Sequence, residues 1–339
     1  MDDVDMAAHA LRPLLIVIAG LALLLPATTS AQSFDINAVD PFTLSTSPQN
    51  PLPYGVLTLS ALSTSLNLAN AVMVVSVSGK EVYRGNVQPV NIPLLGAGVL
   101  VTAKVTISVA GAKYSKTVSV RPQDVVLVAE PVSSAPALYP GKPLVPLGGS
   151  VRIVAVANMK DARGKALDPS TLSYAWAVDG SSAASISGIG KDAIIVSAPL
   201  QYRSRDVSVV VENQSGALAG GASLSLTAAD PTVRLYENDP LLGILFDQAL
   251  SGSYAIKGAE APLYAAPFSF PTSSGAPLIE WFLNGATVQT GNSITLRPTG
   301  TGAGTASLSL VASSGDFAKA VAQLSLSFGG SSGANPSGL

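Results

Sequence analysis

Trp176-Ala177-Val178-Asp179-Gly180 and Trp281-Phe282-Leu283-Asn284-Gly285 repeat one pattern: an aromatic residue near the end of a short apolar run, then Asp or Asn, then Gly. Asp-Gly and Asn-Gly are the dipeptides best suited to a two-residue hairpin turn, because both positions need a positive φ. An aromatic anchor on a strand that ends in such a turn is a common way for a small β-sandwich to place its core residue. The reading assigns Trp176 and Trp281 to the core and Asp179, Gly180, Asn284 and Gly285 to turns.

The pattern extends in both directions from these two copies. Gly180 is followed by a strand-ending Gly216, Gly285 by Gly315, and Gly79 by Gly111, at intervals of 36, 30 and 32 residues. Gly79 closes a third, front copy in which Val75 stands at the tryptophan position. Three units in 339 residues give a period near that of a seven-strand sandwich and too long for a solenoid.

Composition agrees. Only 12% of residues are charged, 31 are Gly and 24 are Pro, so short Val, Leu, Ile and Ser runs are punctuated too often for amphipathic helices. The expected fold class is all-β, a tandem of Ig-like or PKD-like β-sandwich domains after an N-terminal signal peptide. Proline and acidic breaks at Arg121-Pro122-Gln123 and Ala229-Asp230-Pro231 place the sandwiches at residues 32–122, 123–229 and 230–328, with a flexible Gly/Ser tail over 329–339. Both linkers are short and lack a Gly/Ser run, which predicts a semi-rigid rod.

Residues 14–25 are an unbroken apolar run after Arg12, followed by Pro26 and Ala27-Thr28-Thr29-Ser30-Ala31. This is a signal-peptide pattern, cleaved before Gln32, and it is short of the about 20 residues a spanning helix needs. Contact with a membrane is expected only through an uncleaved leader. Removing residues 1–31 leaves 18 basic and 18 acidic residues, with no basic stripe for nucleic acid. It also removes His9, the one histidine, and the chain has no cysteine.

A mature chain without imidazole or thiolate lacks the usual ligands for zinc, copper or haem, and cannot build a Ser-His-Asp triad or a Cys-His pair. None of the ten lysines follows a serine by three positions. No enzymatic role and no cofactor are expected. Paired carboxylates could still hydrolyse glycosides, but the 18 acids are spread over the chain and fall mostly at turns.

Glu237, Asp239 and Asp247 are weak calcium candidates, set against a reading as solvated turn acids. Tyr236, Tyr264, Phe268 and Phe270 are the next candidates for a sugar-stacking face, with Phe268 and Phe270 read as neighbours on one strand face that lie between prolines and belong to the core. Gly300-Thr301-Gly302-Ala303-Gly304 reads as a hairpin loop, and Asn213-Gln214-Ser215 as a sequon at a hairpin turn.

Tyr174-Ala175-Trp176-Ala177-Val178-Asp179-Gly180, Ser187-Gly188-Ile189-Gly190-Lys191 and Glu237-Asn238-Asp239-Pro240-Leu241-Leu242-Gly243 resemble segments of tandem Ig-like or PKD-like surface proteins of bacteria. No Gly-Asp-Gly follows the tryptophans, which favours the broader Ig-like label. Exported proteins of this kind often accompany type IV pilus genes, so the resemblance implies a secreted or cell-surface location and envelope or pilus proteins as partners. The expected function is non-catalytic, structural or adhesive, acting through sandwich loops or edge strands. A carbohydrate-binding accessory protein with surface glycans as partners is the alternative.

Overall fold

The computed structural model describes residues 40–137, 139–299 and 302–329, and the expected signal peptide and nearly all of the tail lie outside them. The described residues are strands joined by turns, with three 3-10 segments (Leu68–Asn70, Pro169–Thr171, Ala184–Ile186) and no α-helix. None of their helices is long and apolar enough to cross a membrane.

The first sandwich contains β1 (Thr43–Ser47), β2 (Val56–Leu62), β3 (Val72–Val77), β4 (Lys80–Asn86), β5 (Val90–Pro93), β6 (Val101–Val109) and β7 (Ala112–Val120). One sheet runs β1-β2-β5 and the other β4-β3-β6-β7. Alternate residues meet between them, among them Leu57, Leu59, Met73, Val75, Val105 and Ile107, all buried. Period-2 alternation is what puts every second residue on one face.

The second sandwich repeats this plan with β8 (Asp124–Pro131), β9 (Ser150–Asn158), β10 (Ser173–Val178), β11 (Ser181–Ser182), β12 (Gly188–Ile189), β13 (Ala193–Ser197), β14 (Ser204–Glu212) and β15 (Ala219–Thr227). Its sheets are β13-β9-β8 and β11-β10-β14-β15, with β12 also on β10. Val151, Ile153, Trp176, Val207 and Val209 fill the space between them. Each fully buried Val or Ile contributes about 1.5–3 kcal/mol of transfer free energy.

The third comprises β16 (Thr232–Asp239), β17 (Gly243–Ile244), β18 (Gly252–Ile256), β19 (Ala261–Phe268), β20 (Leu278–Leu283), β21 (Ala286–Thr290), β22 (Ser293–Leu296), β23 (Gly304–Ser314) and β24 (Ala318–Phe328). The sheets are β17-β16-β19-β22 and β18-β24-β23-β20-β21. Here β18 pairs in parallel with β24, an added strand absent from the other two copies and unmarked in the sequence. The recurring core of three strands facing four with crossed connections, extended by β12 in the second copy and by β17 and β18 in the third, is that of tandem Ig-like sandwiches.

Two local expectations are corrected. Gly304 begins β23, and the segment before it joins β22 to a strand of the opposite sheet, so it is a cross-sheet connection and not a hairpin; residues 300–301 of it lie outside the described residues. Phe268 and Phe270 do not share a face, because Ser269 between them has a φ of 61° and breaks the alternation. Phe270 turns into the core, whereas Phe268 stays half-buried on the outer side of its sheet.

Candidate functional site

The side chains of the repeated motif are occupied structurally. Asp179 and Gly180 have φ of 51° and 76°, and Asn284 and Gly285 have 50° and 84°, the two positive values of a type I′ turn. Ser78-Gly79 and Ala110-Gly111 follow the same geometry. Trp176 and Trp281 are buried opposite Val209 and Leu310, and Val75 is buried opposite Val105 at the corresponding register. Each indole N–H donates to a backbone carbonyl, Trp176 to Lys191 at 2.8 Å and Trp281 to Gly291 at 2.7 Å. A buried indole is thus satisfied without water.

The acidic candidates are also engaged locally. Asp239 Oδ1 accepts from the backbone N–H groups of Leu241 and Leu242, both at 2.8 Å, and those two bonds hold its carboxyl below the usual carboxylate range. Glu237 accepts a short hydrogen bond from the Tyr254 hydroxyl, which ties β16 to β18. Burial, reinforced by that bond, pushes the Tyr254 phenol well above its ordinary value. Asp247 is exposed in the loop beyond Phe246. Among the described residues no three of His, Cys, Asp and Glu gather at one point.

Tyr236 and Tyr264 lie opposite each other on the outer face of β16 and β19. They do not form an open platform. Phe246 packs edge-on against both, with ring centroids 5.2 and 6.4 Å away, and Tyr139 from the second sandwich packs against Phe246 at 6.0 Å and Phe268 at 4.9 Å. Edge-to-face geometry at these separations is attractive for aromatic pairs. The face that could have stacked a sugar is covered by the chain itself. Nothing in the local sequence marks the shared destination of Tyr139 and Phe246.

The same region joins the second and third sandwiches. Ser134 N–H donates to the Phe270 carbonyl at 2.8 Å, Ser269 N–H returns to the Ser134 carbonyl at 3.0 Å, and Phe270 N–H donates to Ser134 Oγ at 3.0 Å. At the start of the second sandwich, beside the linker, Gln123, 1% exposed, is tied back to the end of β9. Its Nε2 donates to the Lys160 carbonyl at 3.0 Å and its Oε1 accepts from Lys160 N–H at 2.8 Å. Arg121 Nη1 adds a bond to the Gly98 carbonyl at 3.2 Å, and Gly98 N–H donates to the Pro122 carbonyl at 2.9 Å. The expected sequon residue Asn213 sits in the turn between β14 and β15, its Oδ1 accepting from Leu218 N–H at 3.0 Å.

Exposed rings remain at Tyr54, Tyr202 and Phe317, more than 80% accessible, one to each sandwich and in different loops.

Neither a family model nor a curated protein matches the chain. Among solved structures it is similar to the three N-terminal domains of the bacteriophage RB49 Highly Immunogenic Outer Capsid protein (Hoc), with 16% identity, 84% of this chain and 98% of that one covered, and a TM-score of 0.24. Fibronectin(III)-like modules of Clostridium thermocellum CbhA show 12% identity over 57% of this chain and 92% of that one, at a TM-score of 0.22. The central fibronectin-III array of RIM-binding protein shows 11% identity over 82% and 92%, at 0.26. The assignment to Ig-like sandwiches stands on the strand order itself.

Proposed function

We propose that this chain is a non-catalytic extracellular protein with a structural or adhesive role, held at the cell surface or in the envelope and contacting envelope or pilus proteins through loops and strand edges. The observation that carries the reading is the junction between the second and third sandwiches. Ser134 with Ser269 and Phe270 joins them by hydrogen bonds, so that binding surfaces on these two sandwiches are presented in fixed relation. The signature residues, Glu237 and Asp239 serve turns, cores and strand ties, which favours recognition by shape and backbone edges. A carbohydrate platform draws less support, because Tyr236 and Tyr264 are packed under Phe246.

Surface proteolysis of intact cells, with an internal marker as control, tests the location. Cleavage of this chain with the marker intact is expected; a chain protected until the cells are broken would contradict the proposal.

A further inference from the structure

The last strands of the three sandwiches, β7, β15 and β24, hold the same place in their sheets, and each copy finishes that edge differently. Trp176 lies opposite Val209 and Val209 opposite Ala222, as Trp281 lies opposite Leu310 and Leu310 opposite Ala322, so β15 and β24 align at the two alanines. In the first sandwich β7 carries Lys113 and Lys116, charged residues of the kind that discourage another chain from pairing with an edge. In the third, β24 is covered by β18, which runs parallel to residues 324–328 and sends Ile256 into the core. In the second, β15 has neither a charge nor a proline, and its partner among the described strands is β14. Its residues 225–228, which correspond to a stretch that β18 covers, line a groove of about 780 Å³ beside β8 and residues 142–145.

Asp206 turns its N–H and carbonyl to Asp179, so its neighbours Arg205 and Val207 face β15, where they pair with Leu226 and Leu224. The N–H and carbonyl groups of Ser225 and Thr227 therefore point out of the open edge. The chain's own residues 141–145 are in register with β18, yet they close on β15 only at its end, where Ala229 N–H donates to the Val145 carbonyl at 2.8 Å. Two residues earlier the same side of that segment is Pro143, which has no N–H to give to the Ser225 carbonyl.

Phe34-Asp35-Ile36-Asn37-Ala38, outside the described residues, alternates apolar and polar residues without Gly or Pro, and Phe34 and Ile36 repeat the spacing of Tyr254 and Ile256 in β18. We propose that β15 takes up this segment from a second copy of the chain as an added parallel strand, with Phe34 and Ile36 in the groove beside β8. The same chain is too short to supply it. Asn50 of the first sandwich packs on Gly221, where an added Cβ would lie 2.7 Å from its Nδ2. From that contact β15 runs on about 20 Å toward the third sandwich, and β1 begins about 16 Å away on the other side. The stretch from Asn37 to Pro41 spans at most about 18 Å, so a strand ending opposite Ala228 cannot be joined to Pro41 of its own chain. Donor and acceptor are different surfaces, so the contact does not close on itself and copies join head to tail. This goes beyond the surface role proposed above and holds for the purified chain wherever it resides.

The test is sedimentation velocity on residues 32–339, raised to about 200 μM because one short strand makes an interface well below standard size. A concentration-dependent series of oligomers is expected. Ile36→Asp, which lies outside the described strands, and Ser225→Pro, which removes an N–H that β14 does not use, should each weaken association at least about tenfold. Circular dichroism and tryptophan emission check the fold, and Thr227→Pro serves as the edge variant where Ser225→Pro disturbs it. An equal mixture of the two variants is the sharper measurement. Ser225→Pro keeps the donor strand and Ile36→Asp keeps the edge, so together they should form a one-to-one complex and nothing larger. A chain that stays monomeric throughout overturns the proposal, as does an oligomer indifferent to Ile36→Asp or a mixture in which the two variants do not combine.

Discussion

Asp179 and Asp206 exchange two hydrogen bonds. The N–H of Asp179 donates to the Asp206 carbonyl at 2.8 Å, and Asp179 Oδ1 accepts from the N–H of Asp206 at 2.9 Å. Asn284 and Ser307 make the same exchange at 2.8 Å in both directions. The Asx side chain therefore prolongs the ladder to the next strand by one rung, beyond the point where the backbone has already turned away. Ser78 donates its N–H to Thr102 at 2.9 Å in the same way, without a carboxyl or amide to return the bond. This explains why the residue before the glycine is Asp or Asn in two copies, a requirement additional to its tolerance of a positive φ.

Replacing Asp179 or Asn284 by alanine should cost about 1–2 kcal/mol, one hydrogen bond plus the left-handed penalty at an alanine. Asp179→Asn keeps the acceptor and should cost less, though it weakens the 3.2 Å pairing with Arg205. Urea denaturation of each variant, compared at constant slope, checks this.

Trp176 and Trp281 report on different cores and are the two tryptophans of the chain. Native emission should be blue-shifted, since both rings are buried. Trp176→Phe removes the donor to Lys191 and part of the ring volume, at about 1–3 kcal/mol to the second sandwich. It leaves Trp281 to follow the third alone. Denaturant titration of Trp176→Phe and Trp281→Phe by fluorescence should give separate midpoints for the two cores.

At the start of the second sandwich, Gln123→Ala strands the part-buried Lys160 N–H and carbonyl, which costs about 1–3 kcal/mol. Hydrogen exchange at the Lys160 amide should accelerate in that variant while amides in the centre of β9 keep their protection. Equal exchange in both proteins would show that the Gln123 side chain does not hold Lys160.

Stability should fall at both extremes of pH. Backbone N–H groups of Lys165 and Ser170, respectively, hold the Asp161 and Asp168 carboxyls below 3.8, as Leu242 and Leu241 hold Asp239. A depressed folded-state value means that the unfolded chain takes up protons first. Their contribution is full above pH 3.8 and is lost as pH falls through the folded values. Burial raises the phenols of Tyr174, Tyr236 and Tyr254 above 10.0, so on the alkaline side the unfolded chain ionises first and stability declines from pH 10 upward. Thermal midpoints between pH 2 and 11 should form a plateau with two falling limbs, and Asp168→Asn should shallow the acid one.

Much of the fold is legible from turn chemistry. Asp179-Gly180, Asn284-Gly285 and Gly79 announce hairpins because positive φ at two successive positions restricts the residues allowed, and Val75 could be aligned with the tryptophans by its fixed distance from that turn. The rest depends on contacts distant in sequence. The parallel strand Gly252–Ile256 has no turn dipeptide to mark its partner. Tyr139 lies in a proline-rich loop and finds Phe268 across a sandwich boundary. Phe268 and Phe270 fall on different faces because Ser269 adopts a positive φ that serine seldom shows, and of the two only Phe270 keeps its expected place in the core. The candidate site was legible only as a set of carboxylates and rings, and their engagement with backbone N–H groups and with one another is a property of packing.

The most direct test of the surface role is binding of labelled residues 32–339 to envelope fractions of the cells that produce the chain, measured to saturation on untreated, protease-treated and periodate-oxidised material. Saturable binding that is abolished by protease and survives periodate is the predicted result. Binding that survives protease, disappears after periodate and is displaced by free sugar would contradict it and establish a carbohydrate ligand instead.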